Sequence, residues 1–260
     1  MNRRAGAVAL ALGLAVAAAP GGPRGHGTAA ASPVPLPEPA GQTLLMSSGA
    51  RADYGALGQV FLTQANLAYC GVASAVMVLN SLAVPAPAVA GYAPYRFWTQ
   101  ENLFATAAAR AVIAPETVAR QGMTLQELAG LLRSHGVTAA AFHGDRLDLA
   151  GFRALLRRSL ADPGDRLLVN YHRAAVGQEG GGHISPLAAY HEPSDRVLIL
   201  DVARYRYPAV WVEVPELWKA VRTLDSTSGR SRGVVVIRAD TAAAPRHRGA
   251  PPRASSRSGR

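Results

Sequence analysis

The sequence predicts an α+β domain in which a helical part comes first and an antiparallel β-sheet packs against it. Three observations predict this class. Apolar residues recur at helical spacing after Cys70, after Thr124 and after Asp148. From Leu167 onward the apolar stretches turn short and β-branched, with Gly, Pro, Asp or Ser between them. Strands and helices do not alternate as in a βαβ chain, and no internal repeat is visible. At 260 residues the chain can bury a full core, as one large domain or two small ones.

Taken in order, the chain opens with Arg3-Arg4 and then fifteen apolar or small residues, Ala5 to Ala19. That run has the length of an export-signal core and is short for a membrane span. Residues 1–31 are expected to be a signal peptide, or an N-terminal anchor if left uncleaved. The protein is therefore expected to be exported, periplasmic or secreted, with no stable membrane insertion after cleavage. Residues 32–44, with Pro33, Pro35, Pro37 and Pro39, read as an extended linker, structure beginning near Leu44.

The folded domain is expected over residues 45–240. Its helix from Cys70 stops near Val84, because Pro85 and Pro87 cannot continue it. Tyr92, Tyr95, Phe97, Trp98 and Phe104 form an aromatic group expected to be core or cleft wall. Thr124-Leu125-Gln126-Glu127 is a capping box opening a helix that Gly136 ends. Another helix runs from Asp148 to about Leu160, followed by a turn and a buried strand at Leu167–Tyr171. Ile184–Tyr190 and Arg196–Asp201 then make a hairpin, and Trp211–Val214 and Gly233–Ile237 supply further strands.

Charge argues against one class of partner. The formal net charge of +10 sits at the ends: residues 1–31 hold three arginines and no acid, and residues 241–260 five arginines and no acid. The body between them carries only +2. Nothing there marks a nucleic-acid-binding surface. The Pro/Ser/Arg-rich tail at 241–260 reads as disordered.

Cys70 is the only cysteine. In an exported chain it has no disulfide partner within the molecule, which leaves a reactive thiol or an inert buried one. At the first turn of a helix, unpaired N–H groups and the dipole favour the thiolate and make the sulfur a nucleophile. Six residues earlier, Gln64 is an amide donor within loop reach of an acyl oxyanion. A glutamine so placed before a helix-opening cysteine resembles the layout of papain-like cysteine peptidases. The nucleophile needs a base, and the base an orienting partner. His183 follows Gly180-Gly181-Gly182, a run that leaves room for a substrate backbone, and Asp201 ends the returning strand of the hairpin. Both lie at the same end of it once a bulge absorbs a few residues; the alternative is a lone histidine and a turn-facing aspartate. Gly229-Arg230-Ser231-Arg232-Gly233 matches a nucleophile-elbow pattern, but a strand follows it where a helix is needed. His191-Glu192 lacks the second histidine of a zinc-protease motif, and no metal site is expected.

Three stretches together resemble one family. They are Gln64 with Ala68-Tyr69-Cys70-Gly71-Val72-Ala73-Ser74, Gly177-Gln178 with Gly182-His183-Ile184-Ser185-Pro186, and Leu198-Ile199-Leu200-Asp201-Val202-Ala203-Arg204-Tyr205. The family is that of the phytochelatin synthases, and the likeness covers about residues 45–238. The resemblance implies a papain-like fold, a triad of Cys70, His183 and Asp201, and an oxyanion role for Gln64. It implies glutathione as substrate, cleaved at its Cys–Gly bond through a γ-glutamylcysteinyl thioester that water or a second glutathione resolves. It also implies that Asp225 and Arg232 bind the γ-glutamyl end, with Gly182 lining the site. An ammonium and a carboxylate do want one partner of each sign.

No cofactor is required in this reading; heavy-metal ions such as cadmium act as thiolate complexes of substrate or product. Plant and fungal members carry a cysteine-rich C-terminal region and this sequence has no second cysteine, so glutathione cleavage is expected to outweigh transpeptidation. Two other readings stay open: a papain-like peptidase acting on other exported peptides, and a non-catalytic binding module. Oligomeric state is left open, a homodimer included.

Overall fold

In the computed structural model, which describes residues 32–239, the chain begins with a short strand and helices. These are β1 (Val34–Pro35), α1 (Pro39–Ser47), α2 (Ala52–Gln59) and α3 (Cys70–Ser81). Then come α4 (Ala107–Val112), α5 (Pro115–Gln121), α6 (Leu125–Arg133), β2 (Val137–His143) and α7 (Leu149–Ala161). The second half holds β3 (Asp165–His172), β4 (Gly182–His191), β5 (Arg196–Ile199), β6 (Val210–Glu213) and α8 (Val214–Val221). It closes with β7 (Leu224–Asp225), β8 (Arg230–Ser231) and β9 (Gly233–Ala239). The signal peptide or anchor expected at 1–31 and the tail expected at 241–260 lie outside the described residues.

The α+β class predicted from the sequence is the one observed. Seven strands form one antiparallel sheet in the order β1-β6-β5-β4-β3-β9-β2, while β7 and β8 pair separately. Alternation along the strands gives the sheet two apolar faces. Leu167 and Val169 join a core with Phe152, Leu156, Leu217 and Val221 of α7 and α8. Leu168, Ile184, Val235 and Ile237 face the opposite way, into a core with α3 and α6. A third core packs α1, α2 and α3 on Ala188, Leu198 and Trp211. Among the described residues no helix is long and apolar enough to cross a membrane.

The expected linker at 32–44 is corrected by the structure. Val34 pairs with Trp211 in the sheet, and α1 already begins at Pro39. Four prolines suggest a spacer, yet proline suits the first turn of a helix and an edge strand equally well. Leu36 and Leu45 are buried, and the Trp211 indole N–H donates to the Gly41 carbonyl at 3.0 Å. The folded region therefore starts about ten residues before the expected boundary.

Helix α3 ends at Ser81, short of Val84, and Ala83 takes a left-handed φ of 52°. Arg166 of β3 holds that end, donating from Nε to Ser81 Oγ (2.9 Å) and from Nη2 to the Ser81 carbonyl (3.1 Å). The aromatic group divides: Trp98 and Phe104 are buried against α3, whereas Tyr92 and Tyr95 are exposed. Both bonds of the Thr124–Glu127 capping box form. Strand β2 was not foreseen; its Val-Thr-Ala-Ala-Ala core has little β-branched character, and pairing with β9 makes it a strand.

Candidate active site

The approach to α3 is a tight turn. The Asn66 carbonyl accepts from Tyr69 N–H (3.3 Å), and Asn66 Oδ1 accepts from Ala68 N–H (2.9 Å). Cys70 then stands in the first turn of α3, partly exposed. Gly71 lets the helix approach the sheet, since a Cβ there would lie 2.7 Å from Met123 Sδ and 3.2 Å from Ile184 Cδ1. Ser74 Oγ donates to the Ile184 carbonyl at 3.2 Å, fixing α3 against the residue next to His183.

His183 is the second residue of β4 and is buried. Its Nε2 lies 2.8 Å from Asp201 Oδ1, which leaves Nδ1 as the ring nitrogen for the neighbouring Cys70 thiol. The Tyr171 ring meets the imidazole edge-on at 5.8 Å. The bulge required to align the two ends of the hairpin is present: the β4–β5 register shifts between Leu187 and Ala189. Helix, strand and hairpin bring Cys70, His183 and Asp201 together, with His183 hydrogen-bonded to Asp201 and neighbouring the Cys70 thiol. A cysteine opening a buried helix thus faces a histidine on the neighbouring strand.

Electrostatics follow from that arrangement. Burial alone would push the Cys70 thiol up, but the bond and charge of His183, with the Ile184 and Gly71 backbone, hold it below its ordinary value. Burial would lower His183, yet bonds to Asp201 and Cys70 raise it. Asp201 is fully buried; burial works against its charge, and the His183 and Arg173 hydrogen bonds overcome this and hold it at about 2. Both shifts favour a thiolate on the sulfur and a proton on the imidazole.

Arg173 is the functional neighbour that sequence reasoning missed. Its guanidinium grips Asp201 with Nη1 at 2.7 Å from Oδ2 and Nη2 at 2.9 Å from Oδ1, and it packs on the Tyr207 ring. Gln178 Oε1 accepts a further bond from Nη1 at 2.6 Å. Arg173 lies one step past β3, whose last residue, His172, pairs with Gly182 beside the histidine.

Gln64 is buried, and its backbone N–H donates to the carbonyl of Val202, next to Asp201, at 3.0 Å. Nε2 donates to the Asn66 carbonyl at 2.7 Å, and Oε1 has no partner among the described residues. Arg232 donates from Nη1 to Asn170 Oδ1 at 2.9 Å. Its guanidinium lies against Gly182, where any Cβ would collide with it. Burial lowers the Arg232 pKa, opposed by the charges of Asp225 and Cys70. Asp225 is buried in β7 and accepts from Thr227 N–H (3.2 Å) and Ser228 Oγ (3.3 Å). Arg232 thus lies against the residue before His183, whereas Asp225 acts on Arg232 only through its charge, with no hydrogen bond or ion pair between the two among the described residues.

Comparison with known proteins bears on the family of the chain. The family model for phytochelatin synthase matches residues 29–234. "Glutathione gamma-glutamylcysteinyltransferase 3" of Lotus japonicus is 33% identical over 192 residues, covering 74% of this chain and 39% of that one. A Triticum aestivum transferase of the same name, numbered 1, is 35% identical over 177 residues, 68% of this chain and 34% of that one. A Schizosaccharomyces pombe transferase of that name is 28% identical over 199 residues, 74% and 45% of the two chains. The chain thus spans less than half the length of these relatives. With the phytochelatin synthase model matching residues 29–234, most of its length, the chain belongs to the phytochelatin synthase family.

Proposed function

We propose that the protein is a γ-glutamylcysteinyl transferase and peptidase acting on glutathione. The observation that carries the proposal is the Cys70–His183–Asp201 row with Arg232 packed on Gly182 beside it. The Cys70 thiolate attacks the carbonyl joining cysteine to glycine, and the Gln64 amide stabilises the oxyanion. His183 gives its proton to the departing glycine amine, leaving a γ-glutamylcysteinyl thioester. Water then yields γ-glutamylcysteine, whereas the amine of a second glutathione yields a phytochelatin. In both cases His183 takes up the proton of the attacking group and Cys70 leaves as thiolate. Asp225 receives the glutamyl ammonium and Arg232 its carboxylate, one partner of each sign.

In this reading cleavage outweighs transfer, and cadmium or a similar ion enters as a thiolate complex of substrate or product. The apolar run at Ala5–Ala19 supports export, which would place the reaction outside the cytoplasm. Incubation with glutathione, with and without cadmium, followed by mass spectrometry, tests the proposal. Free glycine, γ-glutamylcysteine and a γ-glutamylcysteinyl adduct on Cys70 are expected, and Cys70→Ser should lose all three. Cleavage of α-peptides without glycine release from glutathione would defeat the substrate assignment. Turnover unchanged in Cys70→Ser would defeat the mechanism.

A further inference from the structure

Between α2 and α3 the chain passes through residues 61–65 without regular secondary structure. The position of Gln64 therefore depends on what grips the peptide groups around it. On one side the Gln64 N–H is held by the Val202 carbonyl at 3.0 Å. On the other side stands the Gln100 side chain. Its Oε1 accepts from Ala65 N–H at 2.9 Å, and its Nε2 donates to the Thr63 carbonyl at 3.0 Å. A primary amide offers the donor and acceptor that backbone on either side of one residue needs, and the bracketed residue here is Gln64.

The bracket is itself anchored to the nucleophile's helix. Asn80, near the far end of α3, makes two bonds to the backbone of Trp98: Nδ2 to the carbonyl and Oδ1 from the N–H, both 2.9 Å. Trp98 is buried and its indole donates to the Val84 carbonyl at 3.2 Å. Just beyond, Asn102 Oδ1 accepts from Thr99 N–H at 2.8 Å. The path closes on itself: Cys70 and Asn80 on one rigid helix, Trp98 fixed to Asn80, Gln100 two residues on, and Gln64 between the peptide groups that Gln100 holds.

We propose that Gln100 is a positioning residue that sets the Gln64 amide relative to the Cys70 sulfur during acyl transfer. The proposal rests on the reading that Gln64 stabilises the acyl oxyanion. Gln100 touches no reacting atom; it acts by limiting the wander of residues 63–65, and preorganised donors lose much of their effect when they wander.

The test measures acylation of the full chain by glutathione and by p-nitrophenyl acetate, an activated ester that needs the same oxyanion donor. Gln100→Ala and the similarly long Gln100→Met should each lower kcat about tenfold for both substrates while KM stays within about twofold. Alkylation of Cys70 by iodoacetamide, which develops no oxyanion, should keep its rate and pH profile in both variants. Gln64→Ala should cost more, about a hundredfold, and adding Gln100→Ala to it should cost no more than about twofold. Equal losses in the two backgrounds, or slower alkylation, would overturn the positioning role. A Gln64→Ala enzyme with unchanged kcat would instead overturn the oxyanion reading and the inference with it. Turnover of the ester without glutathione cleavage would overturn only the choice of substrate, and the ester data would still decide the role of Gln100.

Discussion

A thiol and an imidazole that share a proton titrate in opposite directions from their isolated forms. Cys70 lies below its ordinary value and His183 above its own, shifts that favour the thiolate–imidazolium form of the pair. As pH falls through the Cys70 transition the nucleophile is protonated; as pH rises through that of His183 the acid needed by the departing amine is lost. A bell-shaped rate profile follows. Asp201, held at about 2 by His183 and Arg173 against its burial, stays ionised across the whole window. Iodoacetamide alkylation of Cys70 is expected to run at full rate well below the range of a free thiol, about 8.5. In His183→Ala the alkylation curve should move up towards that range. An unmoved curve would mean that something other than the imidazole activates the sulfur.

At the scale of elements, the sequence made some features plain and concealed others for physical reasons. The helix at Cys70 and the strands carrying His183 and leading to Asp201 were legible, since periodicity and hairpin arithmetic are local. The 32–44 segment was misread because its burial depends on Trp211, some 170 residues away. Arg173 was invisible because an arginine beside a turn reads as solvated charge until its carboxylate is located. The same holds for Arg166, whose Nη1 meets Asp53 Oδ1 at 3.1 Å under the C-terminal end of α3. Asp53 is fully buried, and desolvation pushes it up to about 7 even though Arg166 pulls it down. A carboxyl whose folded pKa is raised contributes stability below its unfolded value, near 4, and loses it as pH climbs to the folded value. The urea midpoint should therefore fall between pH 4.5 and pH 7.5. Asp53→Asn, which keeps the uncharged form at every pH, should have a midpoint close to that of the parent near pH 4.5 and should fall by visibly less over that interval. Other titrating groups act equally on both proteins, so the difference between the two slopes isolates Asp53; equal slopes would sink the assignment.

For the whole molecule, the sheet is the plane against which every other part is indexed, and its β1 edge decides where the fold begins. Strand β6 has β5 on one side and only the two residues of β1 on the other. Behind β6, Trp211 is fully buried beneath α1, with Leu36 and Leu45 in the same core. Starting the chain at Ser48 instead of Ser32 would uncover this indole, strip its bond to Gly41 and leave the β6 edge unpaired. Losing two buried leucines and that hydrogen bond amounts to roughly 4–6 kcal/mol, a large share of the roughly 5–15 kcal/mol that holds an ordinary domain. The damage would not stay local, because β6 aligns β5, and Asp201 follows two residues after the end of β5. The shortened chain is therefore expected to show red-shifted tryptophan emission and a much lower Tm. Its Cys70 alkylation curve should shift towards that of a free thiol as Asp201 loses its hold on His183. Were residues 32–47 only a tether, all three measurements would match those of the chain beginning at Ser32.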